Sequence, residues 1–190
     1  MGGGRQLIRR ITAATPPIKA VIFDAYGTLL KLREIQGDIL HQVLRQFGVD
    51  ADPTPYIELY FQITTRIELY PEVPDALRAL EPVRAAIVSH ADREHLAAWA
   101  FTLPVEFVIV SEAVRAYKPD PLIFHTALRQ FGLQPQDVLH VGDSDVDDIE
   151  GAKVAGLRVA WVNRTGRARR PGVSAPDFEI RDLKELAALL

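Results

Sequence analysis

The chain has 190 residues, which fits one domain with a small insertion, given a prior of roughly 100–200 residues per domain. With 48% hydrophobic and 25% charged residues, its composition excludes a disordered or fibrous protein. A net charge of -3 and the lack of a long apolar run predict no binding to nucleic acid and no membrane insertion. Because the chain has no cysteine, thiolate metal sites and cysteine nucleophiles are excluded, and we expect a cytoplasmic location.

Residues 1–17 contain arginines but no apolar segment typical of a secretory signal, so they predict a flexible leader. From Lys19 onward, apolar runs alternate with helical periodicity, which favours an α/β fold with a mostly parallel sheet. The runs are continuous rather than alternating, as in strands covered on both faces. The predicted strands are 20–23, 85–88, 107–110, 138–141 and 157–162, and the predicted helices are 92–101, 120–131, 145–155 and 181–190.

The helix over 120–131 has the clearest signals, with Pro121 in its first turn and Gly132 after its last. Its predicted apolar stripe is Leu122, Ile123, Ala127, Leu128 and Phe131.

One segment interrupts the alternation of strands and helices. Ser89 lies 65 positions after Asp24, which is more than a compact crossover between parallel strands needs. Apolar residues recur every four positions over 35–47, and a weaker helical pattern follows, so we predict an inserted helical hairpin. The predicted division is a core over 18–31 and 73–190 and a short helical cap over 32–72.

Polar residues stand where three of the predicted elements end or begin. Asp24 follows the first strand, Ser89 and His90 follow the second, and Lys118 precedes the helix that starts at Pro121. In open α/β sheets, ligands bind in the crevice at the carboxyl ends of the strands, which favours a site here.

The segment after the strand 138–141 is the most informative. Five carboxylates fall within eight positions, and such a cluster is costly unless a cation or solvent offsets the repulsion. Asp143 and Asp148 can face one crevice, and carboxylate oxygens with retained waters suit Mg²⁺. We expect Asp145 and Asp147 to point to solvent and His140 to be a buried, hydrogen-bonded histidine.

Together these segments resemble the haloacid dehalogenase superfamily. Phe-Asp-Ala-Tyr-Gly-Thr-Leu from Phe23 is similar to its first motif, Ser89 to its second, Lys118-Pro119 to its third, and Gly-Asp-Ser-x-x-x-Asp-x-x-Gly-Ala from Gly142 to its fourth. The motifs occur in the family's order, and the resemblance covers residues 19–190, including a closing strand and helix after Asp177.

This resemblance implies a Rossmann-like, doubly wound sheet with a cap inserted after the first strand, and a reaction through an aspartyl intermediate. It further implies that Asp24 is the nucleophile and that Ser89 and Lys118 bind the transferring group. In the same resemblance, Asp143 and Asp148 hold Mg²⁺ together with Asp24, and the backbone carbonyl of Tyr26 is a further metal ligand. The implied function is a Mg²⁺-dependent phosphatase that acts on a small phosphorylated metabolite.

The first motif departs from the phosphatase pattern. Family phosphatases carry a second Asp two positions after the nucleophile, as an acid and base, and this chain has Tyr26 there, which is a poor general base at neutral pH. The form Asp-x-Tyr is similar to that of the 2-haloacid dehalogenases, whose halide leaves as an anion. Their fourth motif is different, however, and their second motif has Asn where this chain has His90. His90 is a candidate to replace the missing acid.

A third reading is a weakly active or non-catalytic member that binds a phosphorylated ligand or a partner. This interpretation follows from the shortness of the cap, which leaves the lid over the site incomplete. A second subunit could complete the lid if two chains form a homodimer through the cap. The arginines of 164–170 predict a solvated loop.

Overall fold

The apolar runs form the strands of one parallel sheet. In the computed structural model, which describes residues 16–32, 67–97, 99 and 101–190, the six strands lie in the order β5-β4-β1-β6-β7-β8. Their bounds are β1 Ala20–Phe23, β4 Arg84–Ser89, β5 Phe107–Val110, β6 Val138–Gly142, β7 Arg158–Val162 and β8 Phe178–Ile180. All neighbours pair in parallel, so the predicted α/β, Rossmann-like class is confirmed.

The strand order reverses beside β1. The chain proceeds from β1 outward through β4 and β5, returns to β6 on the other side of β1, and continues outward through β7 and β8. In register, Phe23 lies between Ile87 and Val141. Parallel sheets bind ligands at such a switch point, beyond the carboxyl ends of the strands. The next residue, Asp24, therefore enters the crevice at the centre of the sheet.

A second, two-stranded sheet marks where the insertion leaves the core. Strand β2, Leu30–Leu32, pairs antiparallel with β3, Ile67–Leu69. The pairing brings residues 32 and 67 side by side, so the intervening segment departs and returns at one place. The helical hairpin predicted for the cap lies in 33–66, outside the described residues. The predicted core boundary at residue 31 falls within β2.

Helices cover both faces of the sheet. The α-helical segments are Val73–Ala79, Arg93–Ala97, Ser111–Val114, Pro121–Phe131 and Gly151–Val154; a π-helical turn spans Asp145–Glu150, and 3₁₀ turns span Pro135–Asp137 and Leu183–Leu189. No helix among the described residues is long and apolar enough to cross a bilayer. The helix Val73–Ala79 did not stand out in the sequence.

The helix Pro121–Phe131 shows how local signals set its limits. The side chain of Asp120 accepts a hydrogen bond from the Leu122 amide at 2.9 Å, and Gly132 ends the helix with φ of 66°. The prediction that Leu122 belongs to the buried stripe was wrong, since this side chain is 42% exposed. It lies about 200° around the helix from Phe124, which faces the sheet instead.

Two hydrophobic clusters, one on each face of the sheet, hold the core. Alternate residues of β1 divide between them: Val21 and Phe23 belong to one cluster, Ala20 and Ile22 to the other. Each of these four side chains is fully buried. The central strand is thus fixed from both sides, which gives the residue that follows it a rigid support.

Candidate active site

Four predicted site residues meet at the carboxyl edge of the central strands. Asp24 follows β1, Asp143 follows β6, Asp148 lies in the turn after it, and Lys118 comes from the segment before the helix Pro121–Phe131. The Lys118 Nζ atom lies 2.5 Å from Asp24 Oδ1 and 2.7 Å from Asp148 Oδ1. The lysine is 5% exposed, so this cation bridges two carboxylates inside the protein.

Asp148 is held by more than the lysine. His140 Nε2 lies 3.0 Å from Asp148 Oδ1, and the Ser144 amide donates to Asp148 Oδ2 at 2.9 Å. The His140 side chain is fully buried, as predicted. A Cβ atom on Gly142 would overlap the Asp148 carboxylate, so the glycine makes room for the turn to fold back on β6. Both carboxylate oxygens therefore have fixed partners.

Asp143 is fixed through its backbone instead. Its carbonyl accepts hydrogen bonds from Trp161 Nε1 at 2.8 Å and from Arg167 Nη2 at 2.9 Å. Its carboxylate packs against Gly27, where φ is 89° and where an added Cβ would lie 2.5 Å from Asp143 Oδ2. The glycine is needed both for its left-handed conformation and for this close approach.

Three of these carboxylates form a candidate metal centre. One oxygen from each of Asp24, Asp143 and Asp148 lies within 4.8 Å of the other two. Hard oxygen donors of this kind suit a divalent cation such as Mg²⁺.

Burial and charge divide the site into two electrostatic parts. Burial raises the pKa of Asp24 to about 7, against the opposing charge of Lys118. Burial likewise raises the pKa of Asp143 to about 6, and the charge of Asp148 adds to the rise. Burial also disfavours the charge on Asp148, but Lys118 and His140 outweigh it and hold this pKa below its ordinary value. Burial opposes the charge on Lys118 as well, yet the two carboxylates raise its pKa.

Lys118 and Asp148 thus favour each other's charged form, whereas burial disfavours the charged forms of Asp24 and Asp143. A divalent cation would favour their ionised forms, so the donor set fits Mg²⁺.

The remaining predicted residues lie around this cluster. Ser89 is fully buried at the end of β4, and its hydroxyl has no hydrogen-bond partner among the described residues. His90 is half-buried, with its ring 5.5 Å from that of Tyr117, and burial followed by the charge of Lys118 lowers its pKa. Tyr26 packs its ring against the hydrophobic cluster that contains Leu29.

The prediction that Asp145 points to solvent was wrong. Its side chain is fully buried and accepts a hydrogen bond from the Arg170 amide at 2.8 Å. The guanidinium groups of Arg167 and Arg170 lie 3.4 Å and 3.3 Å from Asp145 Oδ1. Burial disfavours the carboxylate, but these partners outweigh it and lower the pKa of Asp145. Asp147 is half-buried and bonded to Ser144, at 3.1 Å.

The arginine loop, residues 164–170, makes contacts with the site that the sequence did not predict. It was predicted to be solvated, but Arg164 and Arg167 reach backbone carbonyls of the first and fourth motifs. The two residues in each of these contacts are 24 to 137 positions apart in the sequence, so no local spacing predicts the contacts.

Comparisons with known proteins agree with the fold and identify a family. A family model described as haloacid dehalogenase-like hydrolase matches residues 36–156. A phosphoserine phosphatase from Thermus thermophilus is 34% identical over 161 residues, covering 79% of this chain and 64% of its own length. Haloacetate dehalogenase H-2 from Moraxella sp. is 31% identical over 170 residues, covering 86% of this chain and 75% of its own.

Among solved structures, an L-2-haloacid dehalogenase from Xanthobacter autotrophicus has a TM-score of 0.74 at 24% identity, covering 90% of this chain and 98% of that one. This likeness concerns the fold. The relatives include both phosphatases and dehalogenases, so similarity alone does not separate the two reactions.

Proposed function

Since the chain belongs to the haloacid dehalogenase-like hydrolase family, we propose that it is a Mg²⁺-dependent phosphatase that acts on a small phosphorylated metabolite. The observation that carries the proposal is the group of three carboxylates, Asp24, Asp143 and Asp148, within 4.8 Å of one another beside Lys118. In a halide-releasing enzyme that needs no metal, no cation would offset the burial that raises the pKa of Asp24 and of Asp143.

Asp24, Asp143 and Asp148 would hold the cation, with the carbonyl of Tyr26 as the predicted fourth protein ligand. When bound, Mg²⁺ would supply positive charge that offsets the charge of the phosphoryl oxygens. Asp148 already accepts three hydrogen bonds or ion pairs, from Lys118, His140 and the Ser144 amide. We therefore infer that Asp148 serves chiefly to fix Lys118 and reaches the cation through water.

The chain's own residues then carry a two-step hydrolysis. The Asp24 carboxylate attacks phosphorus, a P–O bond to Asp24 forms, and the bond from phosphorus to the leaving oxygen breaks. Water attacks the same phosphorus in the second step, which releases phosphate and restores the carboxylate. Ser89 donates its otherwise unused hydroxyl to the phosphoryl group, and Lys118 balances charge on both Asp24 and the group being transferred.

The departing oxygen needs a proton that Tyr26 is poorly suited to give. We propose that His90, which follows Ser89 at the end of β4, donates it from its protonated form. Because burial and the charge of Lys118 lower the pKa of His90, we expect this step to be favoured at acidic pH. An alkyl phosphate needs this proton, whereas an aryl phosphate with an acidic phenol does not. His90→Ala should therefore slow alkyl phosphate hydrolysis about 10²-fold or more and leave aryl phosphate hydrolysis nearly unchanged. Equal losses with both substrates would show that His90 is not the acid.

The second candidate function is 2-haloacid dehalogenation. It is favoured by Tyr26 at the position of the missing Asp and by the 31% identity to haloacetate dehalogenase H-2. In that reaction Asp24 would attack carbon, and the halide would leave without a proton.

One experiment separates the two functions. Phosphate release from an aryl phosphate is measured with and without Mg²⁺, halide release from a 2-haloacid is measured alongside, and Asp24→Asn is the blank in each assay. We expect phosphate release that requires both Mg²⁺ and Asp24. Metal-independent halide release would establish the dehalogenase instead. If neither product exceeds the Asp24→Asn blank, the chain is a non-catalytic member that binds a ligand or a partner.

Two further predictions concern association. We propose that the substrate is the chain's principal partner and that two chains associate through the cap. Light scattering over a range of protein concentrations tests the association, and a monomer at every concentration would contradict it.

A further inference from the structure

Arg164 is the first arginine of the loop, and all three nitrogens of its guanidinium group donate hydrogen bonds. Its Nη1 atom donates to Glu72 Oε1 at 2.6 Å. Its Nε atom donates to the Gly27 carbonyl at 3.2 Å, and its Nη2 atom donates to the Thr28 carbonyl at 2.8 Å. The Arg164 side chain is 19% exposed and that of Glu72 is 8% exposed, so solvent weakens these bonds little.

The flat face of the same guanidinium group packs on an aromatic ring. The central guanidinium carbon lies 3.6 Å from the centre of the Tyr70 ring, which is within the range of a cation–π contact. Tyr70 and Glu72 come directly after β3, where the chain re-enters the core from the insertion. A single side chain from the end of β7 thus joins the loop of the nucleophile to the return point of the insertion.

We propose that Arg164 is a positioning residue that holds the Asp24–Thr28 loop in its reactive geometry and fixes the return point of the insertion to it. The role rests on the proposed function only in taking Asp24 as the nucleophile. Gly27 packs on the Asp143 carboxylate, so a displaced loop would disturb Asp24 and Asp143 together. Small displacements of reacting groups are costly in rate, up to about 10²-fold for 1 Å.

The geometry requires an arginine rather than a positive charge alone. A planar guanidinium offers five N–H donors in fixed directions, whereas a lysine ammonium is a point charge. Arg164→Lys would keep attraction to Glu72 but lose at least one of the two carbonyl bonds and the stacking on Tyr70. We therefore expect Arg164→Lys to lie between the parent and Arg164→Gln in each measurement below.

The first test is kinetic, on the full chain with its metal. Arg164→Gln should lower kcat about tenfold or more with KM within about twofold, because the loop positions the nucleophile rather than the substrate. The matched control is Arg169→Gln, since Arg169 lies in the same loop and makes no hydrogen bond or ion pair with the described residues. The control should stay within twofold of the parent. An unchanged kcat in Arg164→Gln, corrected for the folded fraction, would overturn the proposal.

The second test does not depend on catalytic activity, so it tests the positioning role of Arg164 even if the proposed function is wrong. Amide hydrogen exchange is followed by mass spectrometry in peptides that cover 24–30 and, as a reference, the helix Pro121–Phe131. Arg164→Gln should speed exchange at least tenfold in 24–30, where the Gly27 amide bonds to the Leu30 carbonyl, and leave the reference peptide unchanged. Uniformly faster exchange in both peptides, or no change in 24–30, would reduce Arg164 to a general stabilising residue.

Discussion

Two groups of residues, which we call the supports of the site, hold it in place, and they differ in how their charges are paired. The inner network of Asp24, Lys118, Asp148 and His140 is buried, with the Lys118 ammonium between the two carboxyl groups and His140 bonded to Asp148. The arginine loop is partly exposed, and its guanidinium groups pair with the carboxylates of Glu72 and Asp145 as well as with three backbone carbonyls. The removal of Lys118 leaves two buried carboxylates without their cation, whereas the removal of Arg167 or Arg170 leaves Asp145 paired with the other arginine. The two supports should therefore respond differently to mutation.

The largest effect is expected at Lys118. Lys118→Met leaves the buried carboxylates of Asp24 and Asp148 without their cation, so unfolding free energy should fall by about 3–5 kcal/mol and turnover should drop to the Asp24→Asn background. Urea denaturation without metal measures the loss. Lys153→Met is the matched control, because its ion pair with Asp177 is partly exposed and worth about 0–1 kcal/mol. Similar losses in both variants would mean that burial does not distinguish the two pairs.

Gly27→Ala tests the contact between the first motif and Asp143. The left-handed backbone, with φ of 89°, costs about 1–2 kcal/mol for alanine, and the new Cβ must displace the Asp143 carboxylate at about another 1–3 kcal/mol. Gly166→Ala is the control, since its φ is 67° and nothing lies within 4 Å of the added Cβ. The control should show the backbone cost alone in thermal unfolding. If the two variants lose equal stability and Gly27→Ala keeps its activity, the close approach to Asp143 is not needed.

The inner network and the neighbouring residues Asp143 and Ser89 were largely predictable from the sequence, because they stand at strand ends or within a short motif. Asp24, Asp143 and Ser89 follow continuous apolar runs, and a parallel sheet brings such positions to one edge. The strand runs 20–23 and 107–110 match the structure residue for residue. The resemblance to the haloacid dehalogenase superfamily is likewise confirmed by the family match over 36–156.

The second support was not predictable, for a physical reason. An arginine within a run of polar residues is predicted to be solvated. Whether it forms hydrogen bonds or ion pairs depends on how distant parts of the chain fold against it. Arg164 meets Glu72 across 92 positions and Gly27 across 137. Asp145 was misread for the same reason, since its burial depends on Arg167 and Arg170 closing over it. The assignment of metal ligands and of His90 as the acid stays a prediction.

A smaller effect is expected at Asp145, the anchor of the arginine loop. Asp145→Asn keeps the shape but removes the charge that faces Arg167 and Arg170, so it should lower unfolding free energy by about 1–3 kcal/mol. Asp75→Asn is the control, because the Asp75 side chain is 83% exposed beside Arg78 and should change stability by less than about 1 kcal/mol. Chemical denaturation of both variants checks the difference. A loss at Asp145 no larger than at Asp75 would contradict an anchoring role.

The smallest effect separates two arginines that share one partner. Arg167 and Arg170 both pair with Asp145, but Arg167 also donates to the Asp143 carbonyl at 2.9 Å. Because the Arg167 side chain is 40% exposed, this bond is worth about 0.5–1 kcal/mol, which corresponds to about a twofold to fivefold change in a binding constant. Arg167→Gln should weaken Mg²⁺ binding by that factor in titration calorimetry.

Arg170→Gln loses the same pairing with Asp145 and should leave the Mg²⁺ affinity unchanged. The difference between the two variants therefore reports the bond from Arg167 to the Asp143 carbonyl, together with the contact of Arg167 with the Trp161 ring. Equal weakening in both would mean that the shared pairing with Asp145 matters rather than the bond to Asp143. Equal strengthening would mean that the loop acts on the metal site through its net charge, because each variant removes one positive charge near the cation. In that case raising the salt concentration, which screens exposed charges, would shrink the effect of each variant. A directional bond to the Asp143 carbonyl predicts instead that the difference between the two variants persists at high salt, because the position of Asp143 rather than the field around it has changed.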